Sequence, residues 1–354
     1  MVNSLLGTEK PLAPLLIKGD LKLLTEENHC WGHRLRLVVP LVLFFTLTVL
    51  SACGAPEKAL NNEAADKLET DQNAGADMNS NTKKITTVNG DIEIPVKPQR
   101  IVAEEYLGSL IALDVIPVGA PGLTIQNYYF KDELLGVSDT GVYGKPSTES
   151  ILALNPDLII TGNGESYEML SKIAPTVVIP YGDLKNAHEE LTYFGQLLGK
   201  EAEAETWLTN YEKQIAVAKA KVDEVIAKDA SFSIMEDIDK VTYVYGDNFG
   251  RGGQPVYQAL GRKPPSAVAD EIMKKQWAEL SAEMVESYAG DYIIMTSDIR
   301  TVEDFETDPI WGSLPAVKNG HLYVWPEERS WYYDPIAVLA QTEELVNWLT
   351  SLEK

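Results

Sequence analysis

From residue 84 onward, short apolar runs rich in β-branched residues alternate with stretches whose apolar side chains recur every three or four positions. Strands are predicted at 101–103, 158–161 and 177–180, with helical spacing at 106–113 and 148–154. Strands separated by helices imply parallel βαβ units. Ser147 or Thr148 caps the second of these helices, Glu149 lies in its first turn, and Asn155-Pro156 stops it. The alternation resumes after residue 228, with strands predicted at 232–235, 242–245, 292–296 and 322–325. Helical periods occupy 256–260, 273–279 and 336–349, and Asn319-Gly320 supplies a tight turn before the last strand.

Residues 200–228 read differently. Ala204, Trp207, Leu208, Tyr211, Ile215, Ala218, Val222, Val225 and Ile226 step by three and four throughout, with no Gly or Pro among them. This spacing predicts one amphipathic helix on the order of 40 Å long. Roughly four heptads with Ala and Tyr in the seam would make a poor coiled coil, so a rigid connector is the better reading. The expected fold class is therefore α/β: two α/β lobes, 83–199 and 229–354, bridged by one long helix at 200–228. A cleft between lobes is a favoured place for a small molecule. A rigid connector also argues against large hinge closure.

The beginning of the chain has a different logic. Arg34 and Arg36 precede an apolar run from Leu37 to Leu50, which ends in Leu50-Ser51-Ala52-Cys53-Gly54. Fourteen helical residues rise about 21 Å, short of a hydrocarbon core of roughly 30 Å. A basic region, a short apolar run and small residues at a cleavage point make a secretory signal. Its last residues resemble a bacterial lipobox, in which the cysteine thiolate accepts a diacylglyceryl group. Residues 1–53 are thus expected to be a lipoprotein signal ending at Cys53. Residues 54–82, rich in Asn, Asp, Ala, Glu, Ser and Gly, are expected to be a disordered tether.

Charge and composition remove alternatives. The chain carries 30 Lys+Arg against 53 Asp+Glu, a formal net charge of −23, which argues against nucleic acid and against passive attraction to anionic lipid. Two cysteines are too few for a disulfide scaffold or an iron–sulfur cluster. Of the four histidines only His188 and His321 follow Cys53, which disfavours a bare zinc or manganese receptor. Gly136-Val137-Ser138-Asp139-Thr140 lacks the closing glycine of a nucleophile elbow, and His188-Glu189 is not followed by the second histidine of a zinc motif. Gly250-Arg251-Gly252-Gly253 does not follow dinucleotide-binding spacing, and no Walker loop is present. An exported hydrolase would lack its nucleophile and base. Ligand capture, not catalysis, is the expected activity.

Several segments carry a family resemblance covering roughly residues 85–354. They are Pro98-Gln99-Arg100-Ile101-Val102, Gly144-Lys145-Pro146-Ser147-Thr148-Glu149-Ser150-Ile151 running on to Ile159, Asp308-Pro309 to Trp311, and Leu314-Pro315-Ala316-Val317-Lys318-Asn319-Gly320. Together they resemble the iron-siderophore and cobalamin class of ABC-transporter substrate-binding lipoproteins, a class with two α/β lobes and one rigid linking helix. Asp247-Asn248-Phe249-Gly250-Arg251-Gly252-Gly253 resembles the ferric-hydroxamate-binding branch, except that Phe249 stands where that branch usually has Trp. The resemblance implies no cofactor. Its ligand is an iron(III)–siderophore complex whose iron already has its oxygen ligands.

Such a ligand needs aromatic walls for its organic shell and a cation for the electron-rich oxygens around iron. Arg251 can donate charge-assisted hydrogen bonds to hydroxamate oxygens, and Tyr and Trp offer stiff contact area with a polar handle. The predicted ligand-binding residues are Arg251, Trp331, Phe249, Tyr243, Tyr181, Tyr106, Tyr333 and Arg329. Each has a plainer competitor: Arg251 can pair with a carboxylate, and the tyrosines also suit half-buried core positions. Trp311, Trp325 and Trp348 are assigned to the core, His321 to a structural role and His188 to solvent. The resemblance further implies that Glu149 and Glu283, one on each lobe, dock into arginine pockets of a permease dimer, although helix-dipole placement would explain both. Ferric catecholate, haem and cobalamin are the alternative ligands. Catecholate would want several converging cations where only Arg251 and Arg329 are evident, and haem would want an axial His or Met. The expected protein is a monomer, lipid-anchored on the extracytoplasmic face of a cell membrane of Gram-positive type.

Overall fold

The computed structural model describes residues 81–238 and 241–352. The expected signal, Cys53 and almost all of the expected tether lie outside the described residues. The described chain opens with a hairpin absent from the expectations: β1 (Thr82–Thr87) pairs antiparallel with β2 (Gly90–Pro95), Thr87 opposite Gly90. Val88 and Asn89 make the two-residue turn, and Gly90 accepts φ 99 where a side chain would be strained. Ile94 is fully buried, and Ile85 and Ile92 pack against the first lobe's core, so the hairpin belongs to that lobe.

The first lobe is built on β3 (Ile101–Ala103), β4 (Gly119–Ala120), β5 (Ser138–Asp139), a small antiparallel pair β6 (Gly141–Val142) and β7 (Lys145–Pro146), then β8 (Leu158–Thr161) and β9 (Thr176–Val178). Among the described residues its sheet runs β5-β4-β3-β8-β9, every neighbour parallel. β3, β8 and β9 are buried on both faces, which explains their unbroken apolar runs. Ile101, Ala103, Leu158 and Ile160 face one core while Val102 and Ile159 face another. Helices α1 (Leu107–Ala112), α2 (Thr148–Ala153) and α3 (Ala187–Leu198) belong to this lobe. Ser147 caps α2 by accepting from the Ser150 N–H at 3.2 Å, and Glu149 lies in the first turn as the sequence predicts.

The connector is helix α4 (Glu201–Val225), which at 1.5 Å per residue is about 37 Å long. Gly199, at φ 67, turns the chain from α3 into it. The predicted apolar stripe is the face turned inward, with Ala204, Val222 and Ile226 buried and the remaining members half-buried. The second lobe follows, with β10 (Phe232–Ile238), β11 (Val241–Tyr245), helix α5 (Ala269–Lys275), β12 (Trp277–Leu280), β13 (Tyr292–Thr296), β14 (Leu322–Trp325) and helix α6 (Pro335–Ser351).

Two expectations change here. The second sheet, ordered β12-β11-β10-β13-β14, is mixed: β10–β13 and β13–β14 are parallel, whereas β10–β11 and β11–β12 are antiparallel. Two residues separate β10 from β11 in sequence, too few for a crossover. The predicted helix over 273–279 is also corrected. It ends at Lys275 because Gln276 takes φ 67, and Trp277-Ala278-Glu279-Leu280 continues as a strand. The predicted helical turn at 256–260 is a π-helical one over Gln254–Ala259. Helix α6 packs on α4 and also on α1 and α3 of the first lobe, and Ile336 joins that lobe's core. Among the described residues no helix is long and apolar enough to cross a membrane.

Candidate ligand-binding cleft

In open α/β sheets, ligands collect outside the carboxyl ends of the parallel strands. Here those ends release the segments that carry Glu105 and Tyr106 after β3, Gly162 after β8, Tyr181 after β9, and Trp331 and Tyr333 after β14. The turn after β11 adds Phe249 and Arg251.

That turn is held in an unusual backbone. Gly250, Arg251 and Gly252 take φ 73, 56 and 93 in succession. Glycine tolerates this region freely, whereas arginine does so at a cost on the order of 1 kcal/mol. Gly250 is required twice over, since a Cβ there would sit 2.3 Å from the Trp331 carbonyl oxygen. The base of the turn is clamped by Gln276: its side chain accepts from the Asn248 N–H at 2.7 Å and donates to Asp247 at 2.8 Å. The residue that breaks the predicted helix therefore fixes the site loop.

The consequence is a single cluster around one guanidinium. Arg251 is 7% exposed and lies 4.4 Å from the Trp331 ring centre, 4.9 Å from Tyr245 and 5.6 Å from Phe249. Its Nε donates to both oxygens of Glu236 at 3.3 Å, and one terminal nitrogen donates to the Phe249 carbonyl at 3.3 Å. Glu236, fully buried on β10, also accepts from the Trp331 indole N–H at 3.0 Å and from the Tyr245 hydroxyl. Burial pulls the Arg251 pKa down, but the Tyr245 and Glu236 oxygens outweigh it, so it moves up and the cation is secure. Burial drives the Tyr245 hydroxyl well above its ordinary value, so it stays a donor.

From the first lobe, the Tyr181 ring meets Phe249 edge-on at 5.5 Å and Tyr333 at 5.7 Å. Tyr181 is 46% exposed, which leaves an open aromatic edge between the lobes. Glu105 lies nearby, with its pKa pushed up to about 7 by burial, against a hydrogen bond from Tyr143, and with Glu104 adding to the rise. Glu327, in the segment after β14, is likewise raised to about 7 by burial and by Asp298 and Glu236.

Of the predicted ligand-binding residues, Arg251, Trp331, Phe249, Tyr181 and Tyr333 come together. Three lie elsewhere. Tyr106, at φ 64, gives its hydroxyl to the Ile179 carbonyl at 3.1 Å and leans on Phe194 in the first lobe's core. Tyr243 is buried opposite Glu236 in the sheet, with its ring against Trp277 at 6.2 Å. Arg329 pairs with Glu344 and lies over Tyr128 at 5.4 Å. Two cluster members are absent from the sequence reading, Glu236 and Tyr245. Glu149 and Glu283 are both exposed. His321 stacks on Tyr292 at 4.3 Å and bonds the Asp291 carbonyl at 3.0 Å, while His188 pairs with Glu212 at 3.3 Å.

A family model described as periplasmic binding protein matches residues 101–329, well over half of the chain. The chain belongs to the periplasmic binding protein family. Members of this family are substrate-binding proteins, not enzymes. Two relatives from Bacillus subtilis are the iron(3+)-hydroxamate-binding proteins YxeB and FhuD. Each is 34% identical over 87% of this chain, and the matches span 94% and 96% of those proteins respectively. Among solved structures, FhuD2 from Staphylococcus aureus with bound ferrioxamine B superposes with a TM-score of 0.66. It is 32% identical, and the match covers 73% of this chain and all of that one. The two-lobed architecture with one linking helix is the fold of these binding proteins.

Proposed function

We propose that this protein captures a ferric hydroxamate siderophore between its lobes and delivers it to an ABC importer. The observation that carries the reading is the Arg251 guanidinium, buried among Trp331, Tyr245 and Phe249, with Tyr181 of the first lobe set against Phe249 and Tyr333 of the second. A ferric trihydroxamate presents iron-bound oxygens that accept hydrogen bonds, wrapped in an organic shell that packs on aromatic faces. The hydroxamate-binding relatives support the same assignment. Glu149, in the first turn of α2, and Glu283, beside Met284, which is 42% exposed, are the docking carboxylates for a permease dimer, one from each lobe. Cys53 is the lipid anchor, and the protein works as a monomer on the outer face of the membrane.

The test is a titration of the protein with ferrioxamine B and ferrichrome, read by tryptophan quenching, with ferric enterobactin, haemin and cobalamin alongside. Saturable submicromolar quenching by the two hydroxamates is expected. Silence from both, with a response to another ligand, would overturn the reading.

A further inference from the structure

The guanidinium assigned to the ligand is already paired with a carboxylate. Glu236 is fully buried in β10, beside Asp237, which pairs with Arg300, and Arg251 is its only ion-pair partner among the described residues. It also takes the Trp331 indole N–H at 3.0 Å and the Tyr245 hydroxyl, so one carboxylate orients three residues of the cleft wall. Arg329, the second cation expected to face the ligand, is tied to Glu344. On the opposite side Glu105 brings a further carboxyl group close to Tyr181 and Tyr333.

We propose that Glu236 is the residue that sets the charge class of the ligand. By compensating Arg251 it leaves the cleft close to neutral, so the site accepts uncharged or cationic ferric complexes and rejects polyanionic ones. Hydroxamate groups are singly charged and cancel iron(III) when three bind, whereas catecholates are doubly charged and leave a trianion. A buried guanidinium without Glu236 would attract that trianion; with Glu236 it offers hydrogen bonds without net charge. The inference rests on the ferric-hydroxamate reading and refines it.

The experiment compares ferrichrome (uncharged), ferrioxamine B (which carries a free ammonium) and ferric enterobactin (trianionic) on the wild type and on Glu236→Gln. In Glu236→Gln the ratio of hydroxamate to catecholate affinity should fall by about tenfold or more, the effect of one unopposed charge in a desolvated wall. Glu236→Asp keeps the charge and should keep the wild-type ranking. Equal losses for all three ligands would mean that Glu236 only supports the fold, and would overturn the proposal while leaving hydroxamate binding standing. A wild type that binds no hydroxamate overturns the reading beneath it as well. Should Glu236→Gln not fold, the wild type carries the test: ferric enterobactin bound as tightly as ferrichrome overturns the proposal.

Discussion

Glu190, on α3, offers the most quantitative check on the structure. Its side chain is 1% exposed, it accepts a hydrogen bond from Ser109 of α1, and it lies close to Asp334, the N-cap of α6. Burial raises its pKa to about 8, the Ser109 hydrogen bond working the other way and the Asp334 and Glu105 charges adding to the rise. An unfolded glutamate titrates near 4.5. Between those values the folded protein holds a proton that the unfolded chain has released. The contribution of Glu190 to stability is therefore complete below about pH 4.5 and falls as pH rises toward 8. At 1.36 kcal/mol per pH unit, the loss from this one group by pH 8 is roughly 4 kcal/mol, a large share of the 5–15 kcal/mol typical of a domain.

Glu190→Gln keeps the shape and an acceptor for Ser109 but cannot ionise. Urea unfolding of both proteins at pH 5, 6, 7 and 8 isolates the term, because Asp334 and Glu105 remain in each. The variant should match the wild type to within about 1 kcal/mol at pH 5 and exceed it by roughly 3 kcal/mol at pH 8. Parallel stability curves across that range would refute the reasoning. They would mean either that Glu190 is hydrated or that it finds a positive partner when ionised.

Four further outcomes test the cleft and its surroundings. Gly250→Ala places a methyl 2.3 Å from the Trp331 carbonyl at φ 73, so hydroxamate affinity should drop by about tenfold or more. Gly320→Ala, also at φ 73 but with nothing within 4 Å, should cost only about 1 kcal/mol of stability and leave binding intact; equal binding losses would contradict the cleft geometry. Trp331→Phe keeps an aromatic face over Arg251 but loses the 3.0 Å hydrogen bond to Glu236, so ligand titration should show a weakening of roughly 1–2 kcal/mol, and wild-type affinity would deny the indole its role. Reversing both Glu149 and Glu283 to Arg should abolish iron uptake by cells while the purified protein keeps its affinity; persistent uptake would remove both residues from the docking surface.

The elements legible from the sequence are those in which one physical demand dominates. Helix α4 must cover its own length with a single stripe, so Ala204 through Ile226 repeat at helical spacing and every predicted stripe position is buried or half-buried. β3, β8, β13 and β14 coincide with the predicted strands because sheet interiors demand unbroken apolar runs. Where two demands coincide, periodicity misleads. Trp277-Ala278-Glu279-Leu280 satisfies helix and strand spacing alike, and only the left-handed turn at Gln276, imposed by its bonds to Asp247 and Asn248, decides between them. The β1–β2 hairpin hides behind Thr82, Lys83 and Lys84, polar residues on an edge that keeps its inward isoleucines alternate.

The site divides in the same way. Arg251 and Phe249 stand out because a lone arginine beside an aromatic in a glycine-rich turn favours function, and Trp331 because its loop matches the family resemblance. Tyr106, Tyr243 and Arg329 look the same by residue type, but their partners, Ile179, Trp277 and Glu344, are distant in sequence and only the fold supplies them. Glu236 is the instructive case. The strand is predicted only as far as Met235, so Glu236 falls just past it, beside a second acid, Asp237, and nothing in the sequence marks it as buried. Arg251, alone among glycines, is the cation in that lobe with the least other reason to be where it is. Only the fold, which carries β10 on through Ile238 and buries Glu236 against Arg251, brings that acid and this base together.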